Sequence, residues 1–257
     1  MTPGKKVLIT GGSSPLAIEL GSKLFNFGYT VFLTSRSLKY LQLAKKTFPC
    51  SIFTSDVASL QGRETVITWI EKEAPDLVIN SAGLGFYGDT LDLEDLDLIE
   101  MCEVNIVALM LFSKAAAQAM RLHQKEGIIV NISSATDKIV YPTFAVYAAC
   151  KSFVTSFSLA FAEEVKKYDI AVLVASPGQI QTRFQERASK GSYTLHHGLS
   201  PKKAAAEIFT MIEKKQGYYV FPFKIKFLRR LLSILLPKKI FYCLLKNSLK
   251  NRIPKHS

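Results

Sequence analysis

The sequence predicts a doubly wound α/β fold: a mostly parallel, seven-stranded sheet with helices on both faces, followed by an amphipathic helical extension at the C-terminus. Three observations predict it. Short apolar, β-branched runs alternate strictly with helix-length segments, the pattern of a parallel sheet covered on both sides. The first run leads directly into a glycine-rich turn, Thr10-Gly11-Gly12-Ser13-Ser14-Pro15-Leu16-Ala17, that opens a helix. The basic charge is concentrated after the last run, beside apolar residues at helical spacing.

Taken in order, the strand candidates are residues 5–10, 30–34, 51–54, 76–80, 127–133, 170–176 and 218–221. Each is bounded by turn residues or by the start of a helical pattern. The helix candidates are residues 15–28, 37–48, 58–73, 94–124, 145–168 and 201–214. Ser200-Pro201 combines an N-cap with proline at the first helical position, where its missing N–H costs nothing. No repeat or linker interrupts the run. One domain is therefore expected over residues 1–223, with an extension over residues 224–257.

The chain has 257 residues and a formal net charge of +12, from 33 Lys and Arg against 21 Asp and Glu. Residues 224–257 hold ten of the basic side chains and no acid. The first 223 residues are thus near neutral, which argues against a nucleic-acid-binding core. In the extension, Leu228, Leu231, Leu232 and Leu235 keep helical spacing, and Ile240, Phe241, Leu244 and Leu245 repeat it after Pro237. The proline and the basic pairs interrupt any span of about 20 apolar residues. Two short basic amphipathic helices are expected instead. They could lie on an anionic membrane, cover a substrate mouth or pack against a subunit. The four cysteines, Cys50, Cys102, Cys150 and Cys243, are scattered without metal-ligand spacing. Reduced thiols in a cytoplasmic protein are expected, with no signal peptide before the first strand and no metal site.

The chemistry is carried by Tyr147 and Lys151, four apart, thirteen residues after Ser134. On a helix the two share a face. An ammonium beside a phenol is expected to lower the phenol's pKa from about 10 and to fit it for proton transfer to a carbonyl or from an alcohol. The turn at residues 10–17 can offer backbone N–H groups and a helix N-terminus to a pyrophosphate. After the second strand, Ser35 and Arg36 stand where a carboxylate would bond the ribose of NAD. A hydroxyl and a guanidinium suit a 2′-phosphate instead. Leu84, Phe86, Tyr87, Tyr141, Phe144 and Phe184 are candidates for an apolar pocket. The long polar stretch 183–199, with His196 and His197, is a candidate lid.

Over about residues 5–222 the chain resembles the classical short-chain dehydrogenase/reductase family. The resemblance implies a Rossmann-type sheet and carries roles onto particular residues. Gly11, Ser13, Ser14 and Leu16 would face the coenzyme phosphates, and Ser35 and Arg36 the adenosine ribose. Asp56 would meet the adenine, with Val57 beside it. The turn Asn80-Ser81-Ala82-Gly83 would border the coenzyme through Asn80, Ala82 and Gly83. Asn105, Ser134, Tyr147 and Lys151 would be catalytic: Tyr147 as acid and base, Ser134 on the same oxygen, Lys151 on Tyr147 and the nicotinamide ribose, Asn105 holding a water. Pro177, Gly178, Ile180 and Thr182 would face the carboxamide. Pro15 and Ala17 replace the family's second and third glycines. Pro15 removes an N–H and fixes φ near −65°, which the first turn of a helix tolerates. These roles imply an NADP(H)-dependent oxidoreductase, preferring NADP(H) over NAD(H), that interconverts a hydrophobic ketone and a secondary alcohol. A 3-oxoacyl-thioester reductase and a catalytically idle dinucleotide-binding adaptor at a membrane surface are the alternatives. A homo-oligomer is expected.

Overall fold

In the computed structural model, residues 4–224 and 238–253 are described. All seven expected strands form: β1 (Lys6–Thr10), β2 (Thr30–Ser35), β3 (Ser51–Thr54), β4 (Leu77–Asn80), β5 (Gly127–Ile132), β6 (Ile170–Pro177) and β7 (Tyr218–Phe221). They make one sheet in the order β3-β2-β1-β4-β5-β6-β7, with every pairing parallel. The strand order reverses between β1 and β4, the place where a doubly wound sheet opens a crevice at its carboxyl edge.

Alternation along the strands assigns the two cores. Val7 and Ile9 of β1, Leu77 and Ile79 of β4, and Val130 and Ile132 of β5 face one layer. That layer is built by α1 (Pro15–Asn26), α2 (Leu38–Lys45) and a helix over Pro201–Glu213. Leu8, Val78 and Ile129 face the other. The second layer is built by α3 (Leu60–Glu73), α4 (Asp95–Cys102), α5 (Leu109–Leu122) and α6 (Ala145–Val165). The period of two along each strand thus covers both faces. The helix starts are fixed by serines. Ser14, Ser59 and Ser200 each accept a backbone N–H of the first turn, a cap worth about 1 kcal/mol. Pro201 follows Ser200 as expected.

Two segments differ from the expectation. The single helix over 94–124 is interrupted by a π-helical turn, Glu103–Ala108, between α4 and α5. The cause is local. Asn105 Nδ2 donates to Met101 O at 2.8 Å, and Cys150 Sγ approaches the same carbonyl at 3.9 Å. Side chains occupy an acceptor that the next helical turn would use. The long stretch 183–199 contains a short helix, α7 (Phe184–Ala188), so Pro201–Glu213 is α8. Of the two tail helices, the second forms as α9 (Lys238–Leu249). The first, around Leu228 to Leu235, lies outside the described residues.

Candidate active site

The glycine-rich turn is pinned to the end of β4. Thr10 Oγ1 accepts the N–H groups of Ser81 and Ala82 at 3.1 and 3.2 Å. Gly11 has a φ of +65°, and a Cβ there would stand 2.9 Å from the Ala82 backbone. Only glycine allows that approach in that conformation. Pro15 occupies the first turn of α1, so its missing donor is not needed. Ser14 Oγ caps Ala17 N at 3.1 Å, and Ile18 N pairs with Ser14 O. The Leu16 N–H remains as the spare donor of that helix start.

A cleft of about 400 Å³ runs from this turn across the ends of β4, β5 and β6. It brings together Ser14, Leu16, Gly83, Ser134, Tyr147, Lys151, Pro177, Gly178, Ile180 and Thr182. The other expected residues sit around it. Ser35 Oγ is buried at the end of β2 without a hydrogen-bond partner, which suits a ligand hydroxyl or phosphate oxygen. Arg36 is exposed and bound to Glu100, Nη1 to Oε1 at 2.9 Å. Asp56 turns its carboxylate onto Ala58 N at 3.1 Å, and Val57 is buried beside it with its carbonyl accepting from Arg63. Asn80 is buried and donates to Ser113 Oγ and Asn131 Oδ1 at 3.1 and 2.8 Å. Gly11, Ser13 and Ala82 shape the turn without lining the cleft. Asn105 is fully buried and braces the wall, donating to Leu84 O at 2.6 Å and accepting from Leu84 N at 3.3 Å. Among the described residues no group of three or more His, Cys, Asp or Glu forms a metal site.

The reactive trio is closely held. Ser134 stands near enough to the Tyr147 phenol to act on its pKa, and its Oγ accepts from Thr136 N and Oγ1 at 3.2 and 3.0 Å. The Tyr147 ring stacks on Phe144 at 4.4 Å and meets Phe184 at 5.2 Å. Lys151 Nζ lies 5.6 Å from the Tyr147 ring centre and donates to Ile132 O at 3.0 Å. The expected lowering of the Tyr147 pKa is not found. Burial among aromatic rings raises it well above 10, and the nearby Ser134 hydroxyl offsets only part of that. Burial also brings Lys151 down from 10.5 to about 8. Desolvation disfavours the charged form of each group, raising the phenol's pKa and lowering the ammonium's. In the free protein the Tyr147 phenol is therefore neutral and keeps its proton.

Five of the six expected pocket residues, Leu84, Tyr87, Tyr141, Phe144 and Phe184, line the cleft. Phe86 lies outside it, and His196 and His197 do not reach it. Spacing and motifs do not single out Gly85, Leu249 or Arg252. Gly85 sits where a Cβ would be 2.8 Å from the Tyr147 ring and 2.9 Å from Phe184, so its lack of a side chain makes room for the two rings. Leu245 and Leu249 of α9 and Arg252 just beyond it close the mouth. Leu249 is 2% exposed. Arg252 donates to Tyr87 OH at 3.4 Å and stands over the Tyr193 ring, and Ser248 Oγ meets Tyr141 OH at 3.3 Å. One face of α9 thus lies at the mouth of the cleft.

Residues 5–192 match the family model described as short chain dehydrogenase. A Drosophila melanogaster protein named dehydrogenase/reductase SDR family protein 7-like is 30% identical over 234 residues, 83% of this chain and 71% of that one. An Aedes aegypti farnesol dehydrogenase is 27% identical, over 75% of this chain and 84% of its own length. Among solved structures, a Sphingobium yanoikuyae short-chain dehydrogenase in complex with NADPH superposes with a TM-score of 0.80 at 19% identity. That match covers 91% of this chain and 96% of the other, and it bears on the fold. The parallel sheet, the pinned glycine turn and the Ser134, Tyr147 and Lys151 cleft thus coincide with a family match over most of the chain, which belongs to the short-chain dehydrogenase family of NAD(P)-binding oxidoreductases acting on alcohol and ketone groups.

Proposed function

We propose that the protein is an NADP(H)-dependent reductase that interconverts a hydrophobic ketone and a secondary alcohol, with Asn105, Ser134, Tyr147 and Lys151 as its machinery. The observation that carries this reading is the neutral, buried Tyr147 phenol beside Ser134 and Lys151 inside an aromatic and aliphatic cleft. Bound coenzyme supplies or accepts the hydride. The chain does the rest. Tyr147 gives its proton to the carbonyl oxygen, and Ser134 donates to the same oxygen and stabilises its developing charge. Lys151, anchored on Ile132 O, holds positive charge behind the phenol and restores its proton. Asn105 keeps the Leu84 edge of the cleft in place. Phe144, Phe184 and the α9 leucines exclude water.

Support for the coenzyme comes from the unpartnered Ser35 hydroxyl and the absence of a carboxylate at that position. The NADPH-bound neighbour agrees with it. Gly11, Ser13, Ser14, Leu16, Asp56, Val57, Asn80, Ala82, Gly83, Pro177, Gly178, Ile180 and Thr182 would border the coenzyme. An apolar substrate fits Tyr87, Tyr141, Phe144, Leu245 and Leu249, and the name of the farnesol dehydrogenase points the same way. The apolar lining favours a ketone over the charged carrier arm of a 3-oxoacyl thioester.

The remaining parts of the reading concern location and assembly. Residues 1–223 form the catalytic unit, and residues 224–257 an extension that works on the same cleft. The protein is cytoplasmic and touches anionic membranes from the outer side of α9, where Ile240 and Leu244 are 51% and 53% exposed near Lys239. Co-sedimentation with anionic vesicles tests that contact. A homo-oligomer through α6 is supported by its half-exposed ladder of Phe153, Phe157 and Phe161, stacked at 5.7 and 5.3 Å. The catalytic reading is tested by titrating NADPH and NADH, then following NADPH consumption over a panel of hydrophobic ketones. Tighter NADPH binding and turnover of at least one ketone are expected. Binding without turnover of any carbonyl would favour the idle adaptor.

A further inference from the structure

Three arginines from two separate segments lie near the β2 side of the cleft, two of them lining it. Arg36 follows β2, while Arg183 precedes α7 and Arg187 lies within it. The Arg183 guanidinium stands 3.8 Å over the ring of Tyr40, in the first turn of α2. The segment after β6 therefore reaches across to the helix that follows the second strand. Arg187 lies within electrostatic reach of both Arg183 and Arg36, and its pKa falls through burial and these two cations, against Tyr40 and Glu186. Glu100 is already engaged by Arg36 at 2.9 Å. Arg183 and Arg187 line the cleft together with Ser14 and Leu16 of the helix start and with Thr182. Gathering like charges costs free energy in the unliganded protein. Planar guanidinium forks match the oxygens of a phosphate.

We propose that Arg183 and Arg187, together with Arg36, form a phosphate clamp that closes on the dinucleotide. This rests on the coenzyme reading above and adds two residues of the α7 segment to it. The clamp is tied to the reacting end by one peptide bond: Arg183 packs on Tyr40, and its neighbour Phe184 packs on Tyr147. A phosphate held by Arg183 fixes Phe184 against the proton donor, so coenzyme binding completes the substrate wall. The phosphate's carrier is the dinucleotide. A phosphopantetheine arm on a thioester substrate has the same chemistry and is separated from it by titrating coenzyme alone.

The test is equilibrium titration of the full-length parent, Arg183→Gln and Arg187→Gln with NADPH and NADH, with thermal unfolding of each variant compared. Each substitution is expected to weaken NADPH binding about tenfold, the worth of one charge-assisted hydrogen bond. Loss confined to NADPH places the contact on the 2′-phosphate, and equal loss for both coenzymes places it on the pyrophosphate. Either supports the clamp. Arg183→Lys keeps the charge without the fork and carries the comparison should Arg183→Gln unfold; it is expected to keep part of the affinity. Unchanged affinities in the variants, with the parent still binding NADPH, overturn the clamp and leave the coenzyme reading standing. The same result with a raised KM for a phosphopantetheine thioester moves the phosphate to the substrate and also overturns it. A parent that binds neither coenzyme overturns both.

Discussion

At the reacting end of the cleft, Tyr147 and Lys151 are 8% and 3% exposed; Tyr147 packs between Phe144 and Phe184, and Lys151 is bonded to a backbone carbonyl. At the β2 end, Arg36 and Asp56 lie in solvent, each held by a neighbour, Glu100 or Ala58 N. The first region controls protonation by removing water. The second, on the proposed reading, sets coenzyme preference by competition among exposed charges. Substitutions at the first should therefore have large effects on rate and on pH dependence. Those at the second should give smaller, salt-sensitive effects on affinity.

The largest expected effect is at Tyr147. Tyr147→Phe removes the proton donor and leaves the ring stack with Phe144 and Phe184 in place. Turnover should fall by about 10²–10⁴ with coenzyme affinity and melting temperature near the parent's. Steady-state rates beside a coenzyme titration measure both, and a rate within a few-fold of the parent would remove Tyr147 from the chemistry.

Lys151 tests the burial argument through stability. Its folded pKa of about 8 lies below the unfolded 10.5. Between those values the unfolded chain binds more protons, so stability rises with pH across that window. The displacement costs the protonated form about 3 kcal/mol, and the Ile132 hydrogen bond returns about 1. Lys151→Met should be inactive yet about 2 kcal/mol more stable than the parent at pH 7, with the advantage shrinking from pH 8 to 10.5. Urea unfolding across that range measures it. A variant less stable at every pH would mean that Lys151 is not desolvated in solution.

Leu249 sharpens the view of the tail as a wall of the cleft. Leu249→Asn puts an amide into the apolar mouth. It should raise KM for a hydrophobic ketone by about tenfold, on the order of 1–3 kcal/mol, with little change in NADPH affinity. Equal change in both would mean that α9 supports the whole cleft. The smallest effect is at Glu100. Glu100→Gln releases Arg36 and should tighten NADPH by up to about fivefold, the worth of an exposed ion pair, while NADH is unaffected. Loss of NADPH affinity on this change would show that Glu100 positions Arg36 rather than competing for it.

The fold was legible because its signals are local. Val-Leu-Ile before the glycine turn, the Ser200-Pro201 cap and the strand alternation each act within a few residues. The grouping of Ser134, Tyr147 and Lys151 was legible for a related reason, since one strand end and one helix carry all three. Their protonation was not, because it depends on Phe144, Phe184 and Gly85 packing around the phenol. The π-turn at Asn105 arises from a side chain reaching Met101 O, which spacing alone does not reveal. Glu100 beside Arg36, Arg183 beside Tyr40 and α9 at the mouth are contacts between distant segments. Leu245 and Leu249 differ from Ile240 and Leu244 only in what the helix faces, and a helical stripe does not name its partner.

The central claim is hydride transfer from NADPH to a ketone inside this cleft, with Tyr147 supplying the proton. Its most direct test uses NADPH deuterated at the nicotinamide carbon that gives up hydride. The purified protein is incubated with a hydrophobic ketone that it consumes, and the product is read by mass spectrometry. The account predicts one deuterium on the carbinol carbon with the parent protein and almost none formed in the same time with Tyr147→Phe. An alcohol without deuterium, or equal labelling by the two proteins, would contradict it.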